Sequence, residues 1–167
     1  LSWLSINIVL NVVAASVIAV YQDTLAAAIT LAVFLPMISD MSGCSGNQAV
    51  AVSMRELTLG LVRPNEIMRV LLKESSLGLV NGLALGILLG GLALLWKGNP
   101  YLGLVVGSAL AANTVLSVSL GGLLPLALKR LRLDPALVSG PVLTTVTDMC
   151  GFFLVLSFAT TLLPRLA

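Results

Sequence analysis

Residues 135–163 read PALVSGPVLTTVTDMCGFFLVLSFATTLL, and this stretch contains a single charged residue, Asp148. A helix crosses the hydrocarbon core of a bilayer in about 20 predominantly apolar residues, so the stretch is long enough for a complete crossing. Asp134 followed by Pro135 is typical of a helix start, because aspartate caps the first turn and proline suits the first helical position. The stretch therefore predicts a transmembrane helix with a carboxylate near its middle.

Four other apolar stretches precede this one, at about residues 3–21, 24–58, 75–96 and 101–128. The second is ambiguous, since its roughly 35 residues would extend about 50 Å as one helix. It is either one long, tilted and interrupted helix or two shorter elements. Counting it as one span, we predict an all-α, polytopic membrane protein with five transmembrane helices.

The composition agrees with a membrane environment. Apolar residues make up 58% of the 167 residues and charged residues only 10%, whereas a soluble domain has about 25% charged residues. Mean hydropathy is +1.08. The formal charge of +2 is small and no basic stretch is interleaved with aromatic residues, so we expect no nucleic-acid partner.

The distribution of cations predicts the orientation. With five spans and a cytoplasmic N-terminus, the C-terminus lies outside, and only Lys97 and Arg165 are external. The other seven cations are then cytoplasmic: Arg55, Arg63, Arg69, Lys73, Lys129, Arg130 and Arg132. This bias follows the positive-inside rule and predicts a multi-pass protein of the cell membrane in that orientation.

Asp148 is the strongest functional candidate among the acidic residues, because inserting a carboxylate into the membrane centre costs several kcal/mol. Pro141, Thr144, Thr145 and Asp148 share one helical stripe at i, i+3, i+4 and i+7. Pro141 has no N–H to donate one turn back and so frees a backbone carbonyl. An all-oxygen, negatively charged site suits a hard cation such as Mg²⁺. The alternative is a protonated Asp148 held by a threonine hydroxyl in a structural hydrogen bond.

A second polar region lies in the long apolar stretch. Residues 42–48 read SGCSGNQ and predict non-ideal helix, which is tolerated at membrane depth only inside protein or beside a water-filled cavity. Gly43 permits close approach, and Asn47 and Gln48 supply amide oxygens. These residues either line a pore beside the Asp148 stripe or clamp two helices together. Asp40 is either a second pore carboxylate or a cap or kink near an aqueous mouth.

Other features predict structure rather than chemistry. Glycines at 78, 82, 86, 90 and 91 form a small-residue stripe that lets helices pack closely. The two cysteines, Cys44 and Cys150, are expected to be buried small hydrophobes. The chain contains no histidine and no Gly-rich phosphate-binding loop, so we predict no enzyme activity and no direct use of ATP.

Three motifs resemble the MgtE-type magnesium transporter family and cover essentially the whole chain in order. They are Pro36 with Gly43 and Gly46-Asn47-Gln48, then Leu72-Lys73-Glu74 with Gly78, and finally Asp134-Pro135-Ala136-Leu137-Val138-Ser139 with Pro141, Thr147-Asp148 and Gly151. The resemblance implies a homodimer with five transmembrane helices per subunit and a pore at the dimer interface, between the second and fifth helices. It also implies that Asp148 holds hydrated Mg²⁺, that the backbone carbonyl of Thr144 assists, and that Asn47 and Gln48 line the pore.

The sequence departs from the family pattern at Asp40, Cys44 and Gly140. A carboxylate and a thiol one turn apart could extend selectivity to softer metals, so Mn²⁺ or another divalent metal is an alternative to Mg²⁺. The family's cytoplasmic regulatory domains have no counterpart here. We therefore expect residues 1–167 to be one transmembrane ion-conducting domain, either isolated from a longer protein or from a naturally short member.

These observations predict a homodimeric, lipid-embedded channel or transporter that passes divalent metal ions, Mg²⁺ above all, into the cell. Two alternative functions stay open. One is a cation-coupled exchanger, in which Asp148 binds either the metal or a counter-ion. The other is a non-conducting membrane anchor or dimerisation module, which would give no reason for a carboxylate in mid-membrane.

Overall fold

The computed structural model describes the backbone of residues 2–166 and the side chains of residues 5–166. The described residues form seven α-helices: α1 Ser2–Val20, α2 Gln22–Ala27, α3 Leu35–Thr58, α4 Ile67–Lys97, α5 Pro100–Arg130, α6 Pro135–Thr161 and α7 Leu163–Leu166. A short 3-10 helix, Ile29–Val33, joins α2 to α3. The described residues form no strand, and the predicted all-α class is confirmed.

Within the part of the chain that the structure describes, four stretches are long and apolar enough to cross a membrane: Ile29–Thr58, Ile67–Lys97, Pro100–Arg130 and Pro135–Thr161. They correspond to the second to fifth predicted segments. The described apolar part of α1, Ser5–Val20, is shorter than these four. A fifth crossing by α1 therefore stays a prediction.

The second segment is broken at a different place from the one predicted. Residues 42–48 are regular α-helix inside α3, so the prediction of non-ideal helix there is wrong. The hydroxyl of Ser42 donates to the Ile38 carbonyl at 2.7 Å, as a helical serine can without breaking the helix. The break lies upstream at Ile29–Val33, and α3 begins with a proline in its first turn, where a missing N–H breaks no helical bond.

Helix α5 is the centre of the bundle, and α3, α4 and α6 pack around it. Helix α4 approaches it through glycines. A Cβ added at Gly86 would lie 2.6 Å from the Gly107 carbonyl oxygen, and a Cβ at Gly90 would lie 2.7 Å from that of Gly103. The predicted packing role of the glycine stripe is thus confirmed, except that Gly91 has no neighbour within 4 Å of an added Cβ.

Gly86 and Gly91 make a matched pair for a stability test. Gly86→Ala forces a methyl group against backbone, which cannot rotate away, so we expect a loss of about 1–3 kcal/mol. Gly91→Ala meets no clash and gains helix propensity, so we expect a gain of up to about 1 kcal/mol. Thermal unfolding in one detergent measures both, and equal effects would contradict the close packing of α4 on α5.

Polar contacts hold together the end of the bundle at which α3 and α5 finish and α4 and α6 begin. The Lys73 ammonium lies 2.5 Å from the Glu56 carboxylate, which joins α4 to α3. Arg130 donates to the side chain of Asn65 at 2.8 Å, which joins the end of α5 to the loop before α4. Seven of the nine cations lie at or near this end, and Lys97 and Arg165 lie at the other.

Candidate functional site

A groove of about 590 Å³ between α3 and α6 holds most of the polar residues that the sequence singles out. Its walls are Ile18, Ala32, Leu35, Pro36, Ser39, Asp40, Gly43, Cys44, Asn47, Thr144, Asp148 and Phe152. Two carboxylates are among them, and none of these lining residues is Lys or Arg. The groove is therefore electronegative whenever its carboxylates are ionised.

Asp148 lies half-buried near the middle of α6 and faces α3 across the groove. The Ser39 hydroxyl donates to Oδ1 of Asp148 and links the two helices. This leaves the other carboxylate oxygen, Oδ2, without a hydrogen bond among the described contacts. Sequence reasoning missed Ser39, although it lies three residues after Pro36 and four before Gly43, on the helical face that both residues share.

Thr144, Gly43 and Asn47 also line the groove. The sequence predicts Gly43 and Asn47 as pore-lining residues and Thr144 as a metal ligand, and these roles stay predictions. Thr144 lies one turn before Asp148 on α6, and its hydroxyl donates to the Gly140 carbonyl at 3.1 Å. Its own carbonyl accepts a hydrogen bond from the Thr147 hydroxyl at 3.0 Å. Within α6 this carbonyl also accepts the helical bond from the Asp148 N–H, so both of its lone pairs are engaged, and the Thr144 hydroxyl oxygen is the one left to accept from the hydration shell of an ion.

Three other predicted residues do not line this groove. Thr145 is buried, and its hydroxyl donates to the carbonyl of Pro141 at 2.8 Å. Pro141 itself is absent from the groove wall. Gln48 lines a separate cavity of about 160 Å³, together with Glu74 and Asn81 among others. The structure therefore groups Asp148 with Thr144, and not with the other half of the predicted stripe.

Asp40 and Cys44 lie one turn apart on α3 at the groove wall. Both are exposed, and Cys44 Sγ is 3.9 Å from Asp40 Oδ1. The expectation that Cys44 is a buried small hydrophobe is wrong, because the face of α3 that carries it turns towards the groove. Cys150 is half-buried on α6 and does not line the groove.

A buried polar network sets the positions of the two groove walls. Asn113 of α5 is fully buried, and its amide donates to the Ser42 hydroxyl at 2.7 Å and to the Thr147 carbonyl at 3.0 Å. Ser117 donates to the Ser42 carbonyl at 2.6 Å. Helix α5 thus ties α3 to α6 directly behind the groove. Sequence reasoning did not use Asn113, although an amide inside an apolar stretch signals a buried partner.

The oxygen atoms that line the groove are of the kind that can bind the waters of a hydrated cation. Among the described residues, no group of three or more His, Cys, Asp and Glu side chains could hold a metal ion. Mg²⁺, in contrast, keeps several of its waters and uses only one or two protein carboxylates. The hydroxyl oxygens of Ser39 and Thr144 and the amide oxygen of Asn47 can accept from those waters.

Comparisons with known proteins give a consistent family. The model of the family MgtE, described as divalent cation transporter, matches residues 35–158. The chain is 31% identical over 166 residues to the magnesium transporter MgtE of Bacillus subtilis, covering 99% of this chain and 37% of that protein. It is 37% identical over 161 residues to the magnesium transporter MgtE of Thermus thermophilus, covering 96% and 36%. The chain thus spans a little over a third of the length of the curated relatives that it matches.

Proposed function

The chain belongs to the MgtE family of divalent cation transporters and is a multi-pass membrane protein, and from this we propose that it is the ion-conducting domain of a divalent-cation channel whose substrate is Mg²⁺. The observation that carries the proposal is the Asp148 carboxylate, which lies in mid-helix within a groove that no Lys or Arg lines. A buried carboxylate without a cationic partner is costly in a membrane unless an ion or water compensates it.

In this mechanism Asp148 is the central pore carboxylate and attracts the hydrated ion. Ser39 fixes the orientation of the carboxylate through one oxygen and leaves the other towards the ion. Oxygens of Thr144 and Asn47 accept hydrogen bonds from the bound waters. The ion then moves inward down the membrane potential, which contributes about 2.3 kcal/mol per charge per 100 mV, or about 4.6 kcal/mol for a divalent ion.

We further propose that α1 is the fifth span and that two subunits enclose the pore. The groove between α3 and α6 lies at the surface of a single subunit, so one chain alone supplies only half of a pore wall. A two-fold axis along this groove would bring two Asp148 carboxylates towards one ion, as an isologous dimer does. The cation-rich end of the bundle would face the cytoplasm, with the C-terminus outside.

The test is Mg²⁺ uptake into proteoliposomes that contain the purified chain, with and without an inside-negative potential. We expect uptake that the potential accelerates and that needs no counter-ion gradient, relative to protein-free liposomes. Uptake that requires an opposing ion gradient would replace the channel by an exchanger. A complete lack of divalent uptake would leave a membrane anchor and overturn the proposal.

A further inference from the structure

The side-chain amide of Asn113 reaches both members of the Ser39–Asp148 pair from behind the groove. Its NH2 group donates to the carbonyl of Thr147, the residue before Asp148, at 3.0 Å. The same group donates to the Ser42 hydroxyl at 2.7 Å, and that hydroxyl in turn donates to the Ser39 carbonyl at 3.1 Å. One amide on α5 therefore lies within two hydrogen bonds of the backbone on either side of the groove.

We propose that Asn113 is a positioning residue for ion passage and fixes the Asp148 carboxylate at the place where the hydrated cation meets it. The inference deepens the proposed function, on which it rests. Asn113 is fully buried and does not line the groove, so it acts through Thr147 and Ser42 and not on the ion itself. The attraction between a carboxylate and a cation falls as their separation grows, so a displaced carboxylate binds the ion more weakly.

The direction of the Asn113 amide is set by its partners. The Thr147 carbonyl can only accept, so the NH2 group must face it and the amide oxygen must point away. That oxygen, Oδ1, is buried and has no hydrogen-bond partner among the described residues. The described hydrogen bonds of this side chain thus all go to α3 and α6, the two helices that form the groove walls.

Gly151 makes room for the amide on α6. A Cβ added at Gly151 would lie 2.7 Å from Asn113 Nδ2, well inside van der Waals contact. Gly151 lies one turn after Thr147, and a helical side chain covers the turn that precedes it. A side chain at position 151 would therefore stand between the Asn113 amide and the carbonyl that it binds.

Loss of the amide should affect ion binding more than folding, because it leaves neither partner without a hydrogen bond. Within α6 the Thr147 carbonyl also accepts the helical bond from the Gly151 N–H. The Ser42 hydroxyl also donates to the Ile38 carbonyl at 2.7 Å. A buried polar group left without a partner is the costly case, and Asn113→Ala creates none at these two positions.

The dependence of Mg²⁺ uptake on Mg²⁺ concentration in proteoliposomes tests the positioning role. In Asn113→Ala we expect the half-saturating concentration to rise roughly tenfold or more, as when a residue that orients a metal ligand is lost. Gly151→Ala displaces the amide from the other side and should raise the half-saturating concentration as well. A merely structural role would instead lower the maximal rate, through the amount of folded protein, at an unchanged half-saturating concentration.

Thr114→Ala is the matched control for this measurement. Thr114 is the next residue on α5 and is fully buried like Asn113, but its hydroxyl has no hydrogen-bond partner among the described residues. The control also truncates a buried polar side chain to alanine, and it should keep the wild-type half-saturating concentration. An unchanged value in Asn113→Ala, or an equal rise in Thr114→Ala, would overturn the inference while wild-type uptake still supports the channel.

A double-mutant cycle tests the contact without transport. Gly151→Ala should lower the midpoint of thermal unfolding less in the Asn113→Ala background than in the wild type, because the amide that the new methyl group meets is then gone. Additive midpoints would overturn the contact between Asn113 and α6, and with it the inference. If the wild type takes up no Mg²⁺, the proposed function and the positioning role both fail, whatever the cycle shows.

Discussion

Asp148→Asn abolishes divalent-cation uptake by proteoliposomes under an inside-negative potential, and this is the largest functional effect that we expect. Asparagine has nearly the same shape and keeps an oxygen that can accept from Ser39, so the contact between α3 and α6 survives. The change removes the negative charge. A divalent ion at roughly 5 Å loses about 6–7 kcal/mol of attraction at an effective dielectric constant of 20, so we expect uptake to fall at least about 100-fold.

Asp134→Asn is the matched control on the same helix. Asp134 caps α6 by accepting from the Ala136 N–H at 2.9 Å, and asparagine caps a helix about as well as aspartate. The control also removes one carboxylate, but at the exposed start of α6, far from the groove. It should conduct like the wild type. If Asp148→Asn conducts equally well, the Asp148 carboxylate is a structural partner of Ser39, and the pore assignment is wrong.

The helical architecture followed from the sequence because the length of an apolar stretch depends on residues that are adjacent in the chain. The break in the second segment did not follow. Small polar residues at 42–48 look like helix breakers, yet their hydroxyls bond to carbonyls one turn back and the helix continues. The break at Ile29–Val33 contains no glycine or proline, and its one signal is Pro36 just downstream, in the first turn of α3.

In the site, too, some residue positions could be predicted from the sequence and others could not. Helical spacing put Thr144 and Thr145 on one stripe with Asp148, but neighbouring residues differ by about 100° around a helix. The packing of α6 within the bundle decides which of the two is buried. Asn47 and Gln48 separate in the same way, the first into the groove and the second into another cavity. Helical periodicity predicts which residues share a face of the helix, but only tertiary contacts decide which of those residues line the groove.

Partners on other helices were beyond the sequence altogether. Ser39 and Asn113 are ordinary polar residues in apolar stretches until α6 and α5 are placed beside α3. A helix pattern contains no information on which neighbour will receive its hydrogen bonds. The sequence therefore identified the carboxylate and missed the two side chains that position it and its helix.

Gly46→Ala is expected to destabilise the chain more than a methyl group added at Gly86 or Gly43. Gly46 lies where α3 crosses α5. An added Cβ would overlap the Ser117 hydroxyl and would lie 2.9 Å from both the Ser117 carbonyl oxygen and a methyl carbon of Leu143. Overpacking costs about 1–3 kcal/mol, and displacing Ser117 also breaks its buried hydrogen bond to the Ser42 carbonyl, which costs about 1–3 kcal/mol more.

Gly43→Ala, one turn earlier on the same helix, is the control for stability. Its added Cβ would meet only the Thr147 hydroxyl, at 4.0 Å, which is ordinary van der Waals contact. Thermal unfolding in one detergent should therefore separate the two variants by roughly 3 kcal/mol or more. Equal midpoints would mean that α3 and α5 do not cross as closely as described.

A double-mutant cycle then identifies the cause of the loss. Ser117→Ala removes the hydroxyl that the new methyl group would overlap, so Gly46→Ala should cost less in that background than in the wild type. The recovery should be partial, because the Ser117 carbonyl and Leu143 remain in place. Strict additivity would show that the overlap with the hydroxyl is not the source of the cost. Helix α3 also carries Ser39 and Asn47 into the groove. The fraction of Gly46→Ala that folds should therefore take up divalent cations poorly as well. Such a loss would link the packing of α3 on α5 to the position of the pore wall.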